Sequence, residues 1–332
     1  MRQLYLVIDL MHTFINSSWQ IGALTLPHRL IQGPLAGYSC APFRLLFNQF
    51  TPPAYCVSEM SSARDILYKH SRQSRYLYRD AREQILAYQI SGTEKEILAE
   101  AALFLQAQGA DLIDINCGCP KTKIRKKGAG SALLEEPSKL IAIIQQVRAA
   151  ITIPLTIKIR IQGTIQDLTL AQQIADAGAD ALIVHGRRWQ DDYDVACDLQ
   201  QISLIKKAIS IPVIANGDIR HGEDLKRAFR ETGCDAYMIA RGGSGAPWLY
   251  QELLQKRKLR IDNATKIKLF MQHLYELAKL EDEYKALLQS KSLVRYYFRN
   301  HLAQEQLLQF YTLNSLDKIP QFLHTTLVEH TQ

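Results

Sequence analysis

The stretch Gly109-Ala110-Asp111-Leu112-Ile113-Asp114-Ile115-Asn116-Cys117-Gly118-Cys119-Pro120 decides how this chain is read. A Gly-x-Asp turn opens it, a short apolar run follows, and the run ends in polar residues and a thiol between Gly118 and Pro120. The turn recurs as Gly178-Ala179-Asp180 before Ala-Leu-Ile-Val-His and as Gly233-Cys234-Asp235 before Ala-Tyr-Met-Ile-Ala. Each follows a helical pattern, such as residues 168–177, so the Gly reads as a helix stop in left-handed geometry. Two further strands open on Ile153-Pro154 and Ile211-Pro212, where a proline at the first position loses no ladder bond.

Working outward from these units, eight strands are expected near residues 30–35, 54–59, 85–90, 112–116, 155–160, 181–185, 213–216 and 236–240, with helical patterns between them. Alternation of this kind implies a parallel α/β sheet. Eight units in about 240 residues fit a (β/α)8 TIM barrel. A doubly wound open sheet is the competing architecture, but no G-x-G-x-x-G follows the first strand. From Asp262 onward Gly and Pro become rare, and Leu269, Phe270, His273, Leu274 and Leu277 recur at helical spacing, which reads as a C-terminal all-helical domain. The expected division is a terminal extension over 1–20, a barrel over 21–257 and a helical domain over 258–332.

The bulk numbers suit a soluble globular protein: 332 residues, 47% hydrophobic and 22% charged. Lys and Arg total 40 against 33 acidic residues, a net charge of +7, which fits an RNA or nucleotide partner without proving one. Six cysteines form no C-x-x-C pair and no disulfide framework, so reduced thiols in the cytoplasm are expected. Cys117 and Cys119 lack a second pair at zinc-site spacing, and no metal is expected. Residues 4–15 are apolar but broken by Asp9 and His12. They read as an extra terminal segment, with Met11 as an alternative start, and no stretch is long enough for a membrane helix.

If the strands are right, polar residues belong at their C-terminal ends, where such barrels hold their sites. They fall there: Ser58-Glu59, Gln89, Asn116 and Cys119, Lys158 and Arg160, His185 and Arg187, Asn216 and Asp218, and Arg241. Gly217 and Gly242-Gly243 follow strands seven and eight. Loops there are the usual phosphate cradle, although glycines in tight turns need no ligand. Lys158 on a strand needs an anionic partner or a snorkelling path, and a flavin's pyrimidine edge supplies the anion. The loop Lys121, Lys123, Arg125, Lys126, Lys127 beside the thiol suits a polyanionic substrate. Lys291, Arg295 and Arg299, spaced by four, would share a helix face and either contact phosphates or form a solvated face.

On these residues the chain resembles the bacterial tRNA-dihydrouridine synthases. The matching stretches include Pro34-Leu35-Ala36-Gly37, Ser58-Glu59-Met60, Gln89-Ile90-Ser91-Gly92, Asn116-Cys117-Gly118-Cys119-Pro120, Lys158-Ile159-Arg160, His185-Gly186-Arg187, Asn216-Gly217-Asp218-Ile219 and Arg241-Gly242. Ser58-Glu59-Met60-Ser61-Ser62 and Ala129-Gly130-Ser131-Ala132-Leu133-Leu134 look closest to the B-type enzymes. The resemblance implies bound FMN, NADPH as hydride donor and a D-loop uridine of tRNA as substrate. It implies flavin-ring contacts from Gln89, Lys158 and His185, and phosphate-end contacts from Asn216, Gly217, Ala240 and Arg241. Pro34, Leu35, Ala36 and Asp218 complete the expected cofactor set. Asn116 matches a uracil-side residue and Cys119 the proton donor; Arg160 and Arg187 join the expected substrate set with the two basic groups above. The chain departs from the family pattern at Gly33-Pro34-Leu35 (usually Ala-Pro-Met), at Tyr38-Ser39-Cys40 in place of a Thr-Asp pair, and at Ala240 in place of a Gly.

The implied reaction adds hydride to C6 of uracil and a proton to C5, with Cys119 as acid, on a base lifted out of its stack. A monomer is expected. Two alternatives remain. An FMN barrel reductase of a free pyrimidine, similar to dihydroorotate dehydrogenase, would explain the flavin residues but neither the basic loop nor the helical domain. A non-catalytic RNA-binding barrel would leave Cys119, Lys158 and Asn216 without a task.

Overall fold

The computed structural model describes residues 2–328. Eight strands, all parallel, close on themselves: β1 (Leu30–Gln32), β2 (Cys56–Val57), β3 (Leu86–Ser91), β4 (Leu112–Cys117), β5 (Leu155–Arg160), β6 (Ala181–His185), β7 (Val213–Asn216) and β8 (Ala236–Ile239). The ring runs β1 to β8 in sequence order, and β8 returns to β1 through Tyr237–Leu30 and Met238–Ile31. Pairing of β2 with β3 through Cys56–Leu86 completes it. The fold is therefore the expected (β/α)8 barrel. Its strands are buried on both faces, which is why they read as near-continuous apolar runs.

The recurring Gly-x-Asp turn has two functions at the N-terminal end of this barrel. Gly109, Gly178 and Gly233 have φ of +87°, +100° and +61°, the left-handed geometry that stops the preceding helix. Each following aspartate then accepts the N–H of the first residue in the strand before its own: Asp111 from Leu86 at 2.8 Å, Asp180 from Leu155 at 2.8 Å, Asp235 from Val213 at 2.7 Å. Three carboxylates thereby tie adjacent strand starts together. Arg148 pairs with Asp180 and Lys206 with Asp235, each at 2.7 Å.

Ahead of the barrel, helix Arg2–Ile15 leads into a hairpin of Trp19–Ile21 and Leu24–Leu26. Met11 and Ile15 are buried, and Phe14 meets Phe229 at 5.5 Å. Trp19, Ile21 and Leu26 join one apolar cluster with Ile31, Val57, Ala87, Leu112, Ile183 and Ile214, so the hairpin supplies part of the barrel's own core.

The chain separates into two compact units. The barrel unit comprises Met1–Ala36, Pro53–Ser71 and Gln84–Gly242. The second comprises Gly37–Pro52, Arg72–Glu83 and Gly243–Gln332, so it takes in two internal segments of residues 21–257 and their last fifteen residues, 243–257. Its core gathers Ile267, Phe270, Leu274, Leu277, Leu293, Val294, Phe310, Ile319 and Leu323 with Cys40 and Leu46. These come from helices Asn263–Leu280, Glu283–Tyr297, Gln304–Tyr311 and Lys318–Leu327 and the short helix Ala41–Leu45 with its extension. Asp262 and Asp282 cap the first two by accepting the N–H of Thr265 and Lys285, each at 2.7 Å. Among the described residues no helix is long and apolar enough to cross a membrane.

Candidate active site

A cavity of about 370 Å³ opens at the C-terminal ends of the barrel strands. Pro34, Leu35 and Ala36 line it after β1, Gln89 from β3, Asn116 and Cys119 from β4 and its loop, and Lys158 and Arg160 from β5. His185 and Arg187 line it after β6, Asn216, Gly217 and Asp218 after β7, and Ala240 and Arg241 after β8. Every residue expected in the cofactor set thus faces one space. So do Asn116, Cys119, Arg160, Arg187 and Lys121 of the expected substrate side.

A buried hydrogen-bond chain runs along one wall. Thr156 Oγ1 donates to Asp114 Oδ1 at 2.7 Å, and Gln89 Nε2 donates to Asp114 Oδ2 at 2.6 Å. Asn116 Nδ2 donates to Gln89 Oε1 at 2.9 Å. Asn116 Oδ1 in turn accepts the N–H groups of Gly118 at 3.2 Å and Cys119 at 2.9 Å. Burial raises the Asp114 carboxyl to about 6, although its hydrogen bonds pull the other way. Two residues beyond Thr156 on β5, Lys158 Nζ donates to Asn216 Oδ1 at 3.0 Å, while Asn216 Nδ2 donates to the Met238 carbonyl at 2.9 Å. Burial lowers Lys158 to about 8. Burial, then the surrounding cations, hold His185 well below its ordinary value. Its ring is neutral at pH 7, and Nε2 faces the Arg187 guanidinium at 3.4 Å, which assigns the ring proton to Nδ1.

The two cysteines of the motif differ in surroundings. Cys117 is the last residue of β4, has no exposure, and burial pushes its thiol far up. Cys119 has left the strand, is partly exposed and lines the cavity. Its carbonyl accepts from both the N–H and the Oγ of Ser131, at 3.1 and 3.0 Å. A Cβ on Gly130 (φ +62°) would lie 2.8 Å from that carbonyl, so only glycine allows this close approach.

The opposite rim is formed by loops seven and eight. Gly217 has φ +134°, and a Cβ there would meet Cys197 Sγ at 2.6 Å. A Cβ on Gly242 would meet the Ile219 carbonyl at 2.6 Å. Loops seven and eight therefore touch backbone to backbone, next to Arg220 and Arg241. Asp218 turns its carboxylate to Arg187, which grips both oxygens at 2.8 and 2.7 Å, and to the Cys197 N–H at 3.0 Å. Burial alone would raise Asp218, yet these bonds hold its carboxyl below the usual range. Arg187 also donates to the carbonyls of Val195 and Tyr193 at 2.6 and 3.2 Å. Asp218 and Arg187, expected as cofactor and substrate residues, thus spend their charges on each other and on the loop after β6. Arg160 likewise donates to the carbonyls of Gly118 and Arg188 at 2.9 and 2.8 Å, joining two site loops.

Sequence reasoning missed Tyr193, Arg220 and Met60, which also line the cavity. Tyr193 lies under Arg241, guanidinium to ring 3.9 Å; only its aromatic type within a polar loop pointed to it. In the basic loop, Lys121, Lys123, Lys126 and Lys127 are exposed. Arg125 differs, stacking on Trp189 at 3.7 Å and pairing with Glu135 at 2.7 Å.

In the second unit, Lys291, Arg295 and Arg299 line one groove with Tyr38, Ser292, Tyr296 and Tyr311. The expected single helical face needs correction: helix Glu283–Tyr297 carries Lys291 and Arg295 and stops before Arg299. Among the described residues no group of three His, Cys, Asp or Glu side chains is set to hold a metal.

Comparison with known proteins agrees with this geometry. The family model described as Dihydrouridine synthase (Dus) matches residues 31–327. The tRNA-dihydrouridine synthase B of Shewanella oneidensis is 36% identical over 299 residues, 88% of this chain and 91% of that protein. The Pseudomonas aeruginosa protein of the same name is 41% identical over 239 residues, covering 70% and 71%. Among solved structures, morphinone reductase superposes with a TM-score of 0.57 at 13% identity, covering 76% of this chain and 92% of its own. The 6-hydroxypseudooxynicotine amine oxidase of Pseudomonas geniculata N1 gives 0.59 at 14% identity, covering 80% and 53%. These last two share the barrel fold.

Proposed function

The chain belongs to the dihydrouridine synthase family, and from that premise we propose that it is a flavin-dependent oxidoreductase reducing the C5–C6 bond of a D-loop uridine in tRNA. Support for the cofactor comes from the cavity itself. A lysine on a buried strand needs an anion or a strong acceptor, and Lys158 faces the same space as Gln89 and the backbone of Pro34–Ala36. At the far rim, Arg220, Arg241 and the close glycine loops suit a phosphate. FMN fits these residues: Lys158 and Gln89 would hold the ring, and Gly217, Ala240 and Arg241 the phosphate end. Bound there and reduced by NADPH, FMN would supply the hydride for C6 of the uracil.

The chain's own residues do the rest. Cys119 carries its proton at Sγ and delivers it to C5. Asn116 and Lys121 line the cavity beside that thiol and orient the base. Arg160 holds the Gly118 carbonyl and so fixes the loop carrying Cys119. The exposed lysines of residues 121–127 and the groove of Lys291, Arg295 and Arg299 offer charge for the tRNA backbone. The observation that carries the reading is that Cys119, Asn116 and Lys158 face one cavity. The test is to purify the protein, record its visible spectrum and assay dihydrouridine in tRNA with NADPH. Yellow protein that releases FMN and forms dihydrouridine is expected. A colourless protein that cannot be reconstituted with FMN overturns the oxidoreductase reading, and turnover of free pyrimidine with none on tRNA overturns the substrate.

A further inference from the structure

We propose that Asp114 is a positioning residue that fixes the direction of the hydrogen-bond chain running through Gln89 and Asn116 to the backbone N–H groups of the Cys119 loop. This deepens the proposed function and rests on it for the role of Cys119. Asp114 is fully buried and ionised above about pH 6, and an ionised carboxylate only accepts. One oxygen takes the Thr156 hydroxyl at 2.7 Å, which leaves the other for Gln89. An amide offers two faces, an oxygen and an NH2. Because Asp114 Oδ2 demands a donor, Gln89 must turn Nε2 toward it and Oε1 away. That oxygen then demands a donor from Asn116, whose Nδ2 lies 2.9 Å off. Asn116 is left presenting Oδ1, and it accepts the N–H groups of Gly118 and Cys119. The backbone N–H groups of Gly118 and Cys119 can only donate, so they ask for the same orientation from the foot of the chain, and without the carboxylate they alone would hold it. With the carboxylate, each amide has one orientation, and the backbone beneath the thiol has a fixed acceptor.

Asp114 acts through the direction of the hydrogen-bond chain rather than through the volume or charge of one residue. Asp114→Asn keeps shape but puts an NH2 in place of one accepting oxygen: facing Gln89 it favours reversal of both amides and sets Asn116 Nδ2 against the Cys119 N–H, and facing Thr156 it makes that hydroxyl accept, so the head of the chain no longer enforces one direction. Asp114→Asn combined with Gln89→Glu keeps the original direction. The introduced amide would then accept from Thr156 and donate to the new carboxylate, whose second oxygen takes Asn116 Nδ2. Thr156→Val breaks no link between Asp114 and Cys119.

The readout is the rate at which iodoacetamide alkylates Cys119 in the purified full chain, followed by mass spectrometry, with dihydrouridine formation measured in parallel. Asp114→Asn is expected to change the alkylation rate by about fivefold, equivalent to one net hydrogen bond, and to lower turnover. The double variant is expected to return the rate to within about twofold of the parent, as is Thr156→Val. A folded Asp114→Asn with an unchanged alkylation rate overturns the proposal, and so does a double variant no better than the single one. If Asp114→Asn does not fold, Gln89→Leu breaks the next link while keeping the carboxylate, and an unchanged rate there overturns it equally. Absence of dihydrouridine formation in the parent protein would sink the proposed function alone, because the alkylation series reads the hydrogen-bond chain without turnover.

Discussion

Lys158 Nζ donates to Asn216 Oδ1 at 3.0 Å, linking β5 to β7 across the barrel mouth. Burial lowers the lysine to about 8. A folded-state pKa below the unfolded value means that the lysine's contribution to stability is present above about 10.5 and is lost as pH falls through about 8. Its charge, however, is available to an anion only below that value. FMN affinity is therefore expected to weaken above pH 8, by up to about tenfold per pH unit. Lys158→Met should bind FMN roughly tenfold more weakly at pH 7 and lose this pH dependence. Titration of FMN fluorescence at pH 7 and pH 9 measures both, and a parent protein with equal affinity at the two would remove Lys158 from the anion site.

Arg187 and Asp218 form a pair in which the arginine side chain is 2% exposed. Removing one partner leaves the other charge buried, which costs about 3–5 kcal/mol. Arg187→Leu should lower the urea midpoint accordingly. Asp218 has a depressed pKa, so its contribution is present above about pH 4 and is lost as pH falls through the depressed value. Asp218→Asn should consequently flatten the acid limb of the stability curve below pH 4. An acid limb identical to the parent's would mean that the pair does not couple to folding.

Cys119 and Cys117 should separate cleanly by chemistry. Cys119→Ala is expected to retain bound flavin and its reduction by NADPH while dihydrouridine formation falls by at least about a hundredfold. Cys117→Ala, at the buried end of β4, should keep activity and lose about 1 kcal/mol of stability from the small cavity left behind. Stopped-flow flavin reduction and nucleoside analysis of the tRNA decide between them. If Cys117→Ala is the inactive variant, the acid has been misassigned.

Replacing Lys291, Arg295 and Arg299 together with Ala should weaken tRNA binding and reduce the slope of log affinity against log salt by about two to three. Flavin content and NADPH oxidation should stay near the parent values. Filter binding across a salt series tests this. An unchanged slope would return these residues to a solvated surface.

The order and approximate ends of the eight strands were legible in the sequence, because each is a short apolar run bounded by its own turn signals. β5, β6 and β7 begin and end where the runs do. The polar residues at strand ends were legible for the same reason: strand direction alone sends them to one rim. What those residues do there depends on tertiary structure. Asp218 and Arg187 read as ligand contacts, yet they face each other because loops six and seven meet. Tyr193 enters the site from a loop whose path is set by the carbonyls that Arg187 holds. Asp111, Asp180 and Asp235 read as turn residues, and only the neighbouring strand shows what their carboxylates accept. The helical unit takes up Gly37–Pro52 and Arg72–Glu83 because apolar surface is non-directional and is buried against whatever the fold brings near it. Sequence order and local periodicity thus determined the barrel, while partners far apart in the chain decided which charges stay available for chemistry.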